Sequence, residues 1–328
     1  MAKPIAGSEA KKRKYPKLLY IMPPLLILAA FALFCAFAGR GAGPNGDKAA
    51  ASVNSARICF LDVGQGDSAT VVGRDACVLI DTGDSSYSNA LTDRLNKSGI
   101  KAIDALIGTH PHGDHIGGFE AVVTSFDIGR VYMPRVTNNT RAFEQALKCV
   151  AAKKMKINAP SPGDVLELSG GVAITFLGPV MEDEAEINNS SIIIRVEMEA
   201  SNPFYVTERG GDGSGGNDGG GGRHPLKVRN DGVLSVLFMA DAEHGAERLL
   251  IDSGADIRAD ILKIGHHGSA TSTSAELLSA VAPSCAIIQC GEGNPYGHPD
   301  PAVLEMLADK NITVLRSDIH GAVTFYTD

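Results

Sequence analysis

From Arg57 onward, short apolar runs alternate with Gly-rich turns. RICFLD at 57–62, SATVVG at 68–73 and ACVLIDTG at 76–83 have the length and β-branched content of buried strands, and Gly73-Arg74-Asp75 is a hairpin-type link between the last two. A helix is predicted near Asn89 to Ser98, then the strand DALIGTH, a helix from about Gly117, the strand RVYMP and a helix from Thr140 to about Lys154. After the turn NAPSPGD come VLEL, GVAITFLG, SIIIRVEMEA, GVLSVLFMAD, an AIIQ run at 286–289 and VTFYT near the end. Strands bracket the chain at both ends, and each β-rich half closes in helices. The pattern predicts an α/β fold in which two sheets lie face to face with helices outside, an αββα sandwich.

Two stretches stand apart from this pattern. Between Ser201 and Asn230 an insertion contains GGDGSGGNDGGGG, nine glycines in the thirteen residues 210–222. Such a piece cannot repay its ordering entropy and reads as a surface loop; a calcium-binding nonapeptide repeat is the other reading, but a single copy cannot stack. At the other end, Leu18 to Gly39 is uncharged and about long enough to cross a bilayer, directly after the basic run KKRKYPK. A membrane anchor and a cleaved secretory signal, with Ala36-Phe37-Ala38 as the cleavage motif, both fit. A soluble helix fits poorly because of Pro23 and Pro24. Either reading puts the domain outside the cytoplasm. The expected organisation is a basic tail at 1–17, an anchor or signal at 18–39, a linker at 40–56 and a domain at 57–328.

Charge narrows the class. Residues 1–40 carry +6 against −8 for the whole chain, so the remainder holds −14. An acidic domain does not attract polyanions through its overall field, and any nucleic acid must be held by local groups or by a metal. With no Trp and 5% aromatic residues, the core must rest on Val, Ile, Leu and Ala. Five cysteines beyond the apolar stretch (Cys59, Cys77, Cys149, Cys285 and Cys290) show no CxxC spacing and make no disulfide framework. Buried thiols are expected, with one Cys59–Cys77 bridge as the alternative.

Chemistry concentrates in THPHGDH, where His110, His112, Asp114 and His115 follow the strand DALIG. Four potential ligands within six residues, all N or O donors, suit a catalytic site for zinc, manganese or iron. One loop cannot complete a metal cluster. Asp241 ends VLSVLFMAD and could bridge two metals or cap the following helix, while His266 and His267 end DILKIGHHGS, with His267 the favoured ligand. There is no G-x-S-x-G elbow and no Cys-His pair.

An HxHxDH loop followed by an Asp and a His at strand ends resembles the metallo-β-lactamase superfamily. The closer resemblance is to the hydrolase domain of ComEC-type competence proteins, carried by FLDVGQGDSAT, LIDTG, THPHGDHIGG, NNSSIIIRV, LFMADAE, LKIGHHGS, YGHP and HGAVTF in that order. The resemblance implies a first site of His110 and His112 and a second of Asp114, His115 and His267, with Asp241 between them, holding one or two divalent transition metals, Zn or Mn. The superfamily's usual third His of the first site is replaced by Asn188-Asn189-Ser190-Ser191, so that site would either bind more weakly or be completed by Asn189 or water, with Ser190 alongside. Asp81 would orient ligands from beneath. Asp62, Gln65 and Asp67 would lie near the mouth, or simply form a Gly turn with Asp caps.

The implied activity is a phosphodiesterase or nuclease acting on extracellular DNA. A metal lowers the pKa of its bound water from about 15.7 toward neutrality and so supplies hydroxide without Ser or Cys. Asp114 would orient that water or accept its proton, and His266 or His298 would stabilise charge on substrate oxygens; His298 would alternatively donate a proton to the leaving oxygen, contact phosphate or be a plain loop histidine. DNA or another phosphodiester, and the membrane, are the expected partners; no protein partner is expected. Hydrolysis of a small ester, lactone or β-lactam is the alternative, and a non-catalytic binding module would have lost a ligand.

Overall fold

The structure, a computed structural model, describes residues 56–182, 185–209, 223–229 and 232–327. Strands β1 (Arg57–Phe60), β2 (Ala69–Val72), β3 (Cys77–Ile80), β4 (Ala102–Ile107), β5 (Asp127–Tyr132) and β6 (Ile157–Asn158) run in sequence order across a first sheet. A second sheet begins with β7 (Val165–Leu168), β8 (Val172–Phe176) and β9 (Ile194–Ala200). The chain crosses back for β10 (Phe204–Thr207) and β11 (His224–Pro225), then returns for β12 (Gly232–Phe238), β13 (Ile261–Lys263), β14 (Cys285–Ile288) and β15 (Thr313–Arg316). It closes in the first sheet as β16 (Val323–Tyr326), antiparallel to both β1 and β10. Among the described residues the sheets thus hold nine and seven strands.

The two-residue period of the strands sorts the core into three layers. Val78 and Ile80 of β3 and Ala105 and Ile107 of β4 point between the sheets, where they meet Ile174, Val196, Val236 and Ile287. There Phe60 stacks on Phe238 with ring centroids 5.3 Å apart. Their neighbours Leu79 and Leu106 point outward, against α1 (Ser88–Lys97), α2 (Gly113–Ile116), α3 (Phe119–Ser125) and α4 (Arg141–Ala152). Leu237, Leu262 and Ile288 face α5 (His244–Asp252), α6 (Ala275–Val281) and α7 (Pro301–Asp309) on the far side, and α8 (Ser317–His320) precedes β16. Each fully buried apolar side chain contributes about 1.5–3 kcal/mol. Thr140 caps α4 by accepting from the Phe143 amide, and Ser274 caps α6 through the Leu277 amide. The αββα order follows from these faces.

The structure narrows one expectation, decides between two readings of a second and leaves a third outside the described residues. The insertion is narrower than 201–230: Phe204–Thr207 pairs with β16, because its apolar residues can cover that edge, and His224–Pro225 pairs with β10. Its Gly-rich centre, 210–222, lies outside the described residues. Cys59 and Cys77 cannot meet, since β2 runs between their strands; all five described cysteines are free and buried. Finally, the tail, the anchor or signal at 18–39 and the linker up to Ser55 lie outside the described residues, among which no helix is long and apolar enough to cross a membrane.

Candidate metal centre

The site forms where parallel strands end. β3 and β4 run parallel in the first sheet, and β12, β13 and β14 run parallel in the second. Asp81 follows β3, the His110–His115 loop follows β4, Asp241 follows β12, and His266 and His267 follow β13. A rigid sheet edge on each side therefore aims its loop into one cleft. The backbone is unusual here: Asp81, Ala240, His266 and His267 all adopt left-handed φ of +57°, +48°, +48° and +55°. Such conformations cost roughly 1–3 kcal/mol each and persist only where packing over-determines them, a mark of functional sites.

Two sets of donors face this cleft and share Asp241, while Asp67, Asp81 and His115 form a third, buried group. In the first, His110 Nε2 and His112 Nδ1 lie 3.0 Å apart, and Asp241 Oδ2 is 3.6 Å from His110 Nε2. In the second, His115 Nε2 is 3.2 Å from Asp241 Oδ1, while His267 Nε2 lies 3.2 Å from Asp114 Oδ2 and 3.7 Å from Asp241 Oδ1. Within each set the donor atoms are all within 4.8 Å of one another. Asp241 takes part in both donor sets and does not cap the following helix, because α5 begins after Glu243 and its amides are met by another residue.

The donor set fits one or two divalent cations. His115 Nε2 and Asp241 Oδ1 are buried without a hydrogen-bond partner, although only 3.2 Å separates them. Native structures rarely leave such atoms unsatisfied, and an all-imidazole and carboxylate set suits a transition metal. The tautomers agree. His115 Nδ1 donates to Asp81 Oδ2 at 2.8 Å and His267 Nδ1 donates to the Gln289 carbonyl at 2.9 Å, which leaves both Nε2 atoms directed into the cleft.

Electrostatics show the strain of this cluster. Burial opposes charge on His115, but Asp241, Asp81 and Asp114 outweigh it and hold its pKa well above the ordinary imidazole range. Burial likewise opposes charge on His267, which Asp241 and Asp67 push up to about 10. His110, buried and beside charged His115, is held well below that range. Asp241, despite burial, is held well below the carboxylate range by His115 and His267.

A layer of supporting groups sits beneath. Asp81 accepts from the Thr109 amide at 2.8 Å, the Thr109 hydroxyl at 2.7 Å and His115. Asp67 lies 3.2 Å from His267 Nδ1 and pairs at 2.7 Å with Lys263, whose side chain is buried. Lys263, Thr109 and Gln289 had not been singled out from sequence; the only signal was a Lys inside the apolar run DILKIG. Ser191 was also missed, and its hydroxyl accepts from the Asp241 amide at 3.3 Å.

The remaining candidates separate. Asp62 forms a Gly turn, accepting from the Gly64 amide and pairing with Arg209 at 3.0 Å, which is the capping alternative. Gln65 Oε1 accepts from the Gly291 amide and joins two rim loops. Asn189 is tied to the neighbouring helix: its Oδ1 accepts from the Glu243 and Ala246 amides at the start of α5, and its Nδ2 donates to Glu186. Ser190 is buried in the same turn, Ile187–Ser190. His266 stands on the open side, with Nε2 3.9 Å from Asp241 Oδ2 and Nδ1 3.2 Å from Glu243. The His298 ring lies 5.7 Å from that of His266.

Comparison with known proteins agrees with this geometry. The profile described as the metallo-beta-lactamase superfamily matches residues 61–292. The chain is 30% identical over 286 residues to ComE operon protein 3 of Bacillus subtilis, covering 82% of this chain and 32% of that protein. It is 26% identical over 315 residues to competence protein ComA of Neisseria gonorrhoeae, covering 92% and 38%. It thus spans about a third of the length of the curated relatives it matches. Among solved structures, the metallo-beta-lactamase fold protein YhfI of Bacillus subtilis aligns with a TM-score of 0.49 and 15% identity, over 82% of this chain and 98% of that one. With the profile matched across most of its length and the His and Asp cluster in place, this chain belongs to the metallo-beta-lactamase superfamily of metal-dependent hydrolases.

Proposed function

We propose that this chain is a phosphodiesterase that hydrolyses DNA outside the cytoplasm. The observation that carries the reading is the shared Asp241, whose two oxygens face two separate donor sets. His110, His112 and Asp241 on one side and Asp114, His115, His267 and Asp241 on the other would hold divalent cations, which would supply an activated water and charge neutralisation at a phosphodiester. The chain's own residues supply the rest. Asp114, whose side chain is 34% exposed, reaches both the second set and solvent and orients the attacking water. His266, oriented by Glu243 and Thr271, faces the open side and donates a proton to the leaving oxygen, with His298 beside it.

The relatives' names, ComE operon protein 3, competence protein ComA and recombination protein 2 of Haemophilus influenzae, support DNA as the substrate. The basic run followed by the uncharged stretch 18–39 supports an extracytoplasmic domain, anchored or secreted. The test incubates the full chain with linear DNA, bis-p-nitrophenyl phosphate and nitrocefin, with manganese or zinc and with chelator. Metal-dependent cleavage of the two phosphodiesters is expected. Turnover of nitrocefin alone would replace this reading with a β-lactam hydrolase.

A further inference from the structure

Tyr296 is 68% exposed, more than any other large hydrophobic side chain among the described residues. Its ring is nevertheless ordered against a neighbour. It stacks on His298 with centroids 5.9 Å apart and planes 16° from parallel. His298 in turn lies 5.7 Å from His266, and His266 lies 6.1 Å from the metal-cluster residue His267. A row of rings thus leads from solvent to the two donor sets.

The loop bearing Tyr296 is braced. Asn294 donates to the Gly291 and His298 carbonyls at 3.0 and 2.6 Å and accepts from the His298 amide at 3.0 Å. Both ends are tied to the site. The Gly291 amide donates to Gln65, and the Asp300 amide donates to the Gly268 carbonyl, one residue beyond His267. A Cβ on Gly268 would fall 2.6 Å from Pro299 Cβ, so the rim loop sits directly on the ligand loop. An apolar ring is therefore held in water, in a fixed place, beside the cleft.

Charge indicates what such a ring is for. A chain of net charge −8 gains little affinity for a polyanion from its overall field. Stacking is the other general means of holding a single strand, and it needs no charge and tolerates any base. Resting on the phosphodiesterase reading above, we propose that Tyr296 is a stacking platform for an unpaired base of the bound strand on the rim of the cleft, so that the substrate is taken as a single strand. A duplex keeps its bases stacked on each other and cannot offer one to the ring without unpairing.

The test measures binding and cleavage separately, with the full chain. In chelator, where nothing is cut, a fluorescein-labelled single-stranded thymidine oligonucleotide is titrated by anisotropy. Tyr296→Ala should weaken binding roughly 5- to 150-fold, and Tyr296→Phe should retain it. An oligonucleotide with abasic sites throughout should bind the wild type and Tyr296→Ala equally. With manganese, KM for the thymidine oligonucleotide should rise by a similar factor in Tyr296→Ala, with a smaller change in kcat. If Tyr296→Ala binds as the wild type does while the wild type cleaves DNA, the platform is overturned and the phosphodiesterase stands. A loss equal on abasic strands overturns stacking. A wild-type chain that cuts no phosphodiester overturns both proposals.

Discussion

Asp241 divides its carboxylate between two imidazoles of one loop: Oδ1 lies 3.2 Å from His115 Nε2 and Oδ2 lies 3.6 Å from His110 Nε2. An amide in its place keeps the shape but replaces one acceptor oxygen with a donor. Asp241→Asn should therefore reduce phosphodiester turnover by about a thousandfold or more, the upper range for losing a preorganised electrostatic group. Steady-state kinetics check this, and near-normal turnover would remove Asp241 from the site.

The pair Lys263–Asp67 is closed to water at 2.7 Å, and Asp67 also faces His267 Nδ1. Removing that cation leaves the buried carboxylate with His267 Nδ1 as its remaining charged neighbour. Lys263→Met should cost about 3–5 kcal/mol, seen as a Tm fall on the order of ten degrees. Adding Asp67→Asn should recover part of that loss. A double variant no more stable than Lys263→Met alone would show that the pair is not coupled.

Metal binding should release protons. In the metal-free protein, the neighbouring carboxylates raise His115 above the ordinary imidazole range and push His267 up to about 10, which favours the charged form of both. A cation must displace those protons, so apparent affinity rises with pH and falls as the solution is acidified. Calorimetry in buffers of different ionisation enthalpy should find one to two protons released per chain near pH 7. Zero release would contradict the protonated pair.

Gly66 has φ +146°, and a Cβ there would fall 2.4 Å from the Asp114 carbonyl oxygen. The Asp67 amide donates to that same carbonyl at 3.1 Å. Gly66→Ala should push the Asp114 backbone away and destabilise the chain by more than about 1 kcal/mol. Metal affinity should drop with it, as followed by competition with a chromogenic chelator. An unchanged affinity would mean that the DVGQGD turn does not set the position of Asp114.

Much of this was legible in the sequence, for a physical reason. His110, His112, Asp114 and His115 fall within six residues after an apolar strand, and Asp241 and His267 each end another, so strand periodicity alone places them at sheet edges. What stayed hidden depends on contacts between distant residues. Asn189 serves α5 across 54 residues of sequence, through the Glu243 amide. Lys263 meets Asp67 only because β13 of one sheet ends against a loop of the other. Nor does any local pattern reveal that β2 separates Cys59 from Cys77, or that Phe204–Thr207 adds to β16 from within a Gly-rich stretch. Side-chain period identifies a strand; its neighbour is decided by the tertiary fold.

The central claim is that Asp241 joins two donor sets which together hold divalent transition metal. The most direct measurement is elemental analysis of the full chain, stripped by chelator, reloaded with manganese or zinc and desalted, beside Asp241→Asn treated in the same way. One to two cations per wild-type chain are expected, with a clear fall in the variant. A wild-type chain that retains no stoichiometric metal, or a variant that retains as much as the wild type, would contradict the account.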